Sequence, residues 1–274
     1  MQIGERRIEA VRARLEDVVN SLFSVEGKVA LVTGGSSGIG EMIARGLVQA
    51  GARVYIASRK QDVCEKVAAE LSEYGECIGL SADLQDPSES ARLAEEIVGR
   101  EGKLNILVNN AGANWAAPMA DFPSDAWDKV LGLNVKAVFE MTRALVPALE
   151  SAATEEDPSR VINIGSIDGL KPPLLDTFAY SSSKAAVHQL TRVLASKLSQ
   201  KNITVNAVAP GPFQSRMMRA TLERFGDSIK ASAPLGRIGR SDDMAGIAIY
   251  LSSRAGAYVT GAIIPVDGGI STIT

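Results

Sequence analysis

Tyr180 and Lys184 stand four residues apart in the segment TFAYSSSKAAVHQL (177–190), with only serines between them. On a helix that spacing places both side chains on one face, one turn apart. A phenol beside a fixed ammonium is a stronger acid than free tyrosine, because the cation favours the phenolate. Such a pair suits general acid–base work on an oxygen that gains or loses a proton. Taken singly, a structural phenol and a snorkelling lysine explain the same residues. Ser166 adds a hydroxyl. It closes the apolar run RVINIGS (160–166), and Tyr180 opens the next helical segment, so one sheet edge would present both.

A second set of residues is suited to holding an anion. TGGSSGIG (33–40) follows an apolar run and opens a helical one. Gly34, Gly38 and Gly40 let the backbone turn sharply and approach a pyrophosphate, and Ser36, Ser37 and Ile39 complete the turn. The N–H groups of the helix N-terminus then face the anion. A glycine turn without a ligand is the plain alternative. About twenty residues on, NAD sites place a carboxylate for the ribose hydroxyl. Here the second strand ends in Ser58, Arg59 and Lys60. A carboxylate there would repel a 2′-phosphate, whereas arginine grips it. The reading favours NADP(H) over NAD(H), with a solvated surface arginine as the alternative for Arg59. Ser37 offers no second basic clamp.

These residues need a frame. Apolar, β-branched runs at 28–33, 53–58, 77–83, 104–110, 160–166, 203–210 and 262–266 alternate with helical periodicity. The intervening helices are predicted at 38–50, 62–74, 87–101, 124–150, 180–200 and 215–253. Continuous apolar strands alternating with helices predict a parallel sheet covered on both faces, a Rossmann-like doubly wound α/β domain of about seven strands. Ligands in such sheets lie beyond the carboxyl ends of the strands. Every residue singled out above falls at one of those ends.

Composition limits the remaining possibilities. The chain has 274 residues, 46% of them hydrophobic, and no linker-like stretch divides it. One domain over 25–274 is expected, after a helical extension over 1–24. A net charge of −3 provides no footprint for nucleic acid and no polybasic membrane patch. Cys64 and Cys77 have no metal spacing and are expected as free thiols in a reducing cytoplasm. With one histidine, His188, no metal site is expected. The first residues mix both charge signs and lack an apolar core, so no secretory signal and no membrane insertion are expected. Ile8, Val11, Leu15, Val18 and Leu22 trace one helical stripe there. The acidic loop at 151–159 suggests no function.

Over residues 25–272 the chain resembles the short-chain dehydrogenase/reductase family, and within it the bacterial β-ketoacyl reductases of the rhamnolipid-associated type. The motifs that carry this are TGGSSGIG, NNAG (109–112), LNV (133–135), NIGS (163–166), YSSSK (180–184) and APGP (209–212), in that order. The resemblance implies a catalytic set of Asn134, Ser166, Tyr180 and Lys184. Tyr180 would protonate the carbonyl oxygen, and Lys184 would lower its pKa and hold the nicotinamide ribose. Ser166 would orient the oxygen, and Asn134 would hold a water linking Lys184 to solvent. Further cofactor contacts carry over by position. Asp83 and Leu84, ending the third strand, would flank the adenine. Asn110, Ala111 and Gly112 would run beneath the adenosine ribose. Pro210, Gly211, Phe213 and Ser215 would border the nicotinamide. Asn109 is expected to tie neighbouring strands, and His188 to pack or face an interface. The loop between Ser166 and Tyr180 is about one residue longer than is usual for the family.

Residues 213–238 resemble the family's lid. Met217, Met218, Leu222 and Phe225 could form its apolar surface, with Trp115, Met119 and Leu174 on the facing wall. Arg216 and Arg219 could meet an acidic carrier protein or a coenzyme A phosphate. The implied activity is NADPH-dependent reduction of a 3-oxoacyl thioester, small or carrier-bound, by a cytoplasmic homotetramer. The alternatives are a reductase of another carbonyl (sugar, steroid, polyketide or xenobiotic) and a non-catalytic NADP(H)-binding sensor.

Overall fold

The computed structural model describes residues 18–215 and 218–272. Residues 18–23 are helical, with Val18 and Leu22 exposed. Ile8, Val11 and Leu15 of the expected stripe, and Arg216 and Met217 of the expected lid, lie outside the described residues.

Strands and helices alternate along the chain. In order they are β1 (Val29–Thr33), α1 (Gly38–Gln49), β2 (Arg53–Ser58), α2 (Gln61–Leu71), β3 (Cys77–Ser81), α3 (Pro87–Glu101) and β4 (Ile106–Asn109). Then follow α4 (Ser124–Leu131), α5 (Ala137–Ala152), β5 (Ser159–Ile164), α6 (Phe178–Leu198), β6 (Ile203–Pro210), α7 (Arg219–Ser232), α8 (Ser241–Ser252) and β7 (Ile263–Val266). The sheet has seven strands in the order β3-β2-β1-β4-β5-β6-β7, all parallel. The chain builds outward from β1 to β3, then crosses back to lay β4 beside β1. That reversal opens a crevice at the carboxyl ends of β1 and β4.

The strand pattern explains why both faces are covered. Along β1, Val29 and Leu31 join a core with Leu93, Met141, Leu145 and Leu198, beneath α3, α5 and α6. Ala30 and Val32 join the opposite core with Ile43, Leu47, Leu71 and Leu251, beneath α1, α2 and α8. Successive side chains point to opposite faces, so a strand buried on both must be apolar throughout. Local signals set the helix ends. In α3, Pro87 occupies the first turn, Asp86 accepts from the Ser88 N–H, and left-handed Gly102 closes the helix.

Two helical predictions need correction. The segment 124–150 is not one regular helix: a π-helical turn, Gly132–Lys136, separates α4 from α5 and holds Asn134. A π-turn adds a residue to the ring and re-aims the side chains within it. The segment 215–253 divides into α7 and α8, because Pro234 and the positive-φ Gly236 break the helical ladder. β3 ends at Ser81 and β5 at Ile164, so Asp83, Leu84 and Ser166 sit on the loops just beyond rather than on the strands.

The opposite end of the sheet holds an ion cluster. Buried Arg160 of β5 donates from Nε to the Leu251 carbonyl at 3.0 Å and from Nη2 to Asp157 and the Ser253 carbonyl, each at 2.9 Å. Lys28 reaches Asp157 at 2.7 Å and the Ser252 carbonyl at 3.0 Å. The acidic loop therefore pins the end of α8 to the sheet. Buried charges persist only when paired in this way. Cys64 and Cys77 are buried free thiols.

Candidate active site

The glycine turn leaves β1 with Gly34 at φ +65° and enters α1 with Gly38 at φ +57°, conformations that disfavour a side chain. Gly40 is required for a different reason: a Cβ there would lie 2.3 Å from the Gly34 carbonyl oxygen and 2.4 Å from Asn110 Nδ2. Asn110 ties the turn to β4, donating from Nδ2 to the Thr33 and Gly34 carbonyls at 2.9 and 3.1 Å. Ser37 stands at the N-cap of α1 and makes no side-chain cap. The first N–H groups of the helix remain available to an anion. Ser36 and Ser58 are not free ligands; their hydroxyls bond each other at 2.9 Å and join the turn to β2.

Arg59 and Lys60 follow β2 on the surface. Among the described residues the Arg59 guanidinium has no ion pair, and the residues that end β2 include no carboxylate. This arrangement fits a dinucleotide that carries an extra phosphate. Asp83 follows β3, whereas Leu84 packs its side chain into the core with Leu80 and Leu93. Leu84 offers only backbone to a ligand. Ser215 lies against the turn, 3.1 Å from the position of a Gly38 Cβ. Gly211 approaches β7 so closely that a Cβ would meet Asp267 at 2.7 Å. The Phe213 ring points inward. It is buried against Gly239, where a Cβ would fall 2.3 Å from its edge. The ring belongs to the core beneath α1, α2 and α8.

The second group of residues stands at the same sheet edge. Phe178 starts α6 and packs edge-on against Phe122 with 5.4 Å between centroids, which anchors the helix that carries Tyr180. The Ser166 hydroxyl neighbours the Tyr180 phenol and favours its ionised form. Ser166 Oγ accepts from the Asp168 N–H at 3.1 Å, leaving its own proton to donate. The longer loop therefore does not keep the two apart. Lys184 Nζ lies 5.5 Å from the centroid of the Tyr180 ring and donates to the Ile164 carbonyl at 2.7 Å.

Burial dominates the electrostatics of this group. Burial pushes the phenol up to about 12, Asp168 adds to that, and only Ser166 opposes it. Burial also pushes Lys184 down to about 8, with Asp168 pulling the other way. Removing charged forms from water outweighs the attraction between these two side chains. Tyr180 is thus held as an acid, and Lys184 is charged below about pH 8.

Asn134 is buried and fully used as a donor. Its Nδ2 donates to the Ala113 carbonyl at 3.0 Å and to Ser183 Oγ at 2.9 Å, and Oδ1 accepts from the Ala113 N–H at 2.8 Å. Ser183 in turn donates to the Tyr180 carbonyl at 2.6 Å. Asn134 therefore braces the Gly112–Ala113 backbone against the start of α6. For a water it retains one lone pair on Oδ1. Asn109 donates to Asn163 on neighbouring β5 at 2.9 Å and to Thr142 at 3.0 Å.

Asp168 is a residue that motif reading passed over. Burial raises its pKa, against the attraction of Lys171 and Lys184. Its place two residues after Ser166 was the available signal, but its influence on Tyr180 arises only when the turn folds onto α6. At the mouth of the site, the Ala117 N–H donates to the Asp176 carbonyl at 3.2 Å, joining the loops that carry Met119 and Leu174. Both side chains are strongly exposed, Leu174 at 84%. Trp115 lies under the Lys129 ammonium at 5.7 Å. Leu222 and Phe225 are half-buried on α7. Among the described residues no group of acidic, cysteine or histidine side chains is placed to hold a metal ion, and no helix is long and apolar enough to cross a membrane.

The short chain dehydrogenase family matches residues 28–224. The rhamnolipids biosynthesis 3-oxoacyl-[acyl-carrier-protein] reductase of Pseudomonas aeruginosa is 48% identical over 249 residues, 90% of this chain and 97% of the relative. The 2-dehydro-3-deoxy-D-gluconate 5-dehydrogenase of Dickeya dadantii is 36% identical over 262 residues, 92% of this chain and 98% of the relative. Among solved structures, the RhlG/NADP active-site complex of Pseudomonas aeruginosa aligns with a TM-score of 0.89 at 47% identity, covering 92% of this chain and 99% of that one. The family match over residues 28–224 and the 48% identity across 90% of the chain decide the lineage: this chain belongs to the short-chain dehydrogenase family.

Proposed function

We propose that this chain reduces the keto group of a 3-oxoacyl thioester to the 3-hydroxyacyl product, with NADPH as reductant. The observation that carries the reading is the phenol of Tyr180, with Ser166 as its neighbour and Lys184 beside its ring, at the sheet edge that also carries an uncapped glycine turn. The 48% identity to a 3-oxoacyl reductase supports the substrate class. The NADP complex of the similar RhlG structure and the exposed Arg59 at the end of β2 support the cofactor.

In this reading the first N–H groups after Gly34, Ser36, Ser37, Gly38, Ile39 and Gly40 face the pyrophosphate. Arg59 and Lys60, positioned by Ser58, face the 2′-phosphate. Asp83 and the Leu84 backbone border the adenine, and Asn110, Ala111 and Gly112 border its ribose. Pro210, Gly211, Ser215 and the Phe213 backbone face the nicotinamide. When bound, NADPH supplies the hydride. Ser166 turns its O–H to the substrate oxygen and stabilises the charge that develops there. Tyr180 delivers the proton, and its raised pKa keeps that proton in place until the oxygen becomes basic. The Lys184 ammonium then stabilises the phenolate left behind. Asn134 ties the loop at Ala113 to the start of α6, and its free lone pair leads toward a relay water. Residues 213–238 act as the lid, Met119 and Leu174 receive the acyl chain, and exposed Arg219 meets the acyl carrier. The assembly is a homotetramer in the cytoplasm, on a domain spanning 25–274.

Lys184 must be charged for this chemistry. Its lowered pKa means that activity is present below about pH 8 and declines above it. Asp168 raises that value, so Asp168→Asn removes a stabilising charge, and the basic limb of kcat/KM is expected to move to lower pH. An unmoved limb in a pH–rate profile would separate Asp168 from Lys184.

The deciding experiment follows NADPH and NADH consumption with acetoacetyl thioesters and with keto sugar acids. The expected result is turnover of the thioester with NADPH. Turnover of the sugar acid alone would favour the chemistry of the Dickeya relative's name. Tight NADPH binding with no turnover of any carbonyl would leave a binding protein.

A further inference from the structure

The chain leaves β7 and turns at once. Gly268 and Gly269 have φ +66° and +91°, in the left-handed region that favours glycine. The Asp267 carboxylate closes the turn: Oδ1 accepts from the Gly269 N–H at 3.0 Å and Oδ2 from the Ser271 N–H at 2.7 Å. A short 3-10 turn, Ile270–Thr272, follows. Two glycines in succession make a loose joint, and these two charge-assisted bonds stiffen it.

Two parts of the candidate site rest on this turn. One is the end of the lid. The Leu235 N–H donates to the Gly268 carbonyl at 3.1 Å, and Pro234 stands so close to Gly269 that a Cβ there would fall 2.9 Å from its Cγ. The other is the turn that begins at Ser166. Lys171 Nζ donates to the Ile270 carbonyl at 2.9 Å, and the Lys171 N–H donates to the Ile167 carbonyl at 3.0 Å. Ile167, Ala233 and Ile270 supply one residue from each part and form a small buried apolar cluster apart from the two main cores. The Gly239 N–H donates to the Pro212 carbonyl at 3.0 Å, so the lid's two ends meet.

We propose that Asp267 is a positioning residue for the acyl substrate: by shaping the turn after β7, its carboxylate fixes the spacing between the lid and the Ser166 turn. It acts through the carbonyls of Gly268 and Ile270, which hold Leu235 and Lys171. The inference rests on the carbonyl reduction proposed above, in which residues 213–238 close over the substrate. The Ser166 turn keeps a bond of its own to the sheet, from the Gly165 N–H to the Val208 carbonyl at 2.7 Å. Loss of the carboxylate should therefore reach substrate binding before it reaches the chemical step.

Asp267→Ala keeps the Cβ that packs on Gly211 and removes the carboxylate. Its KM for an acetoacetyl thioester is expected to rise about tenfold, with kcat within about threefold of wild type. The NADPH Kd, read by fluorescence titration, should also stay within about threefold, because the glycine turn and Arg59 are untouched. Asp267→Asn keeps one of the two acceptor oxygens, and its KM should fall between wild type and alanine. An unchanged KM in the alanine variant, a KM for asparagine above that for alanine, or a NADPH Kd that rises as much as KM would overturn the proposal. Lys171→Met supplies a second reading, since it keeps the side chain's length and loses the donor to Ile270. Both residues act through one turn, so Lys171→Met should raise KM severalfold in the wild-type background and much less beside Asp267→Ala. Should the alanine variant not fold, Asp267→Asn serves as that background. Equal factors in both backgrounds would also overturn the proposal. A wild-type enzyme that reduces no carbonyl sinks the proposed function; normal wild-type turnover with a KM indifferent to Asp267 sinks this inference alone.

Discussion

Tyr180→Phe is expected to cost kcat roughly 10²- to 10⁴-fold while leaving NADPH affinity close to wild type. The substitution removes one oxygen and keeps the ring. Phe178 still anchors α6 on Phe122, and Lys184 still bonds the Ile164 carbonyl and lies beside the ring. The glycine turn and Arg59 are untouched, so the dinucleotide keeps its contacts. What disappears is the phenol beside Ser166, held as an acid by burial and by Asp168. The loss should appear in kcat in single-turnover and steady-state rates alike, with the NADPH Kd measured separately by fluorescence. Near-wild-type kcat would remove Tyr180 from the proton transfer.

Arg59→Asp is expected to lower the ratio of kcat/KM for NADPH over NADH by roughly tenfold to a hundredfold. Two unit charges about 4 Å apart near a protein surface interact by about 4 kcal/mol, and reversing one changes attraction into repulsion. Arg59 is exposed, so solvent and salt reduce that effect, which is why the expected change stops near two decades. Stability should not change, since among the described residues the Arg59 guanidinium holds no ion pair and the Ser36–Ser58 bond that ties the turn to β2 is unaffected. An unchanged cofactor ratio would take Arg59 out of the phosphate site. The effect should also fade as ionic strength rises, a dependence that a purely steric cause would not show.

Much of this molecule can be read from short stretches. β2 and β6 have the bounds of their apolar runs, Arg53–Ser58 and Ile203–Pro210, because strand formation depends on residues that are neighbours in sequence. The order of the chemistry-bearing residues along the sheet edge follows from the same alternation, since parallel strands present all their carboxyl ends on one side. Glycine spacing and the Tyr–Lys pair are equally local. Periodicity was blind where the helix was regular in composition but not in geometry: nothing in GLNVK marks a π-turn until Asn134 finds the Ala113 backbone.

What required the tertiary structure was everything that depends on burial and on partners distant in sequence. Motif logic expects Lys184, with a bound nicotinamide's charge, to acidify Tyr180; the fold adds an opposing contribution, since burial raises the phenol and lowers the ammonium. Asp168 and Arg160 carry no motif, and their roles arise from a turn and a strand meeting distant parts of the chain in space. Residue types and spacing determined the frame and which side chains share its reactive edge. Only the fold decided how each is charged and what holds it still, because desolvation and packing are properties of the surroundings rather than of the residue.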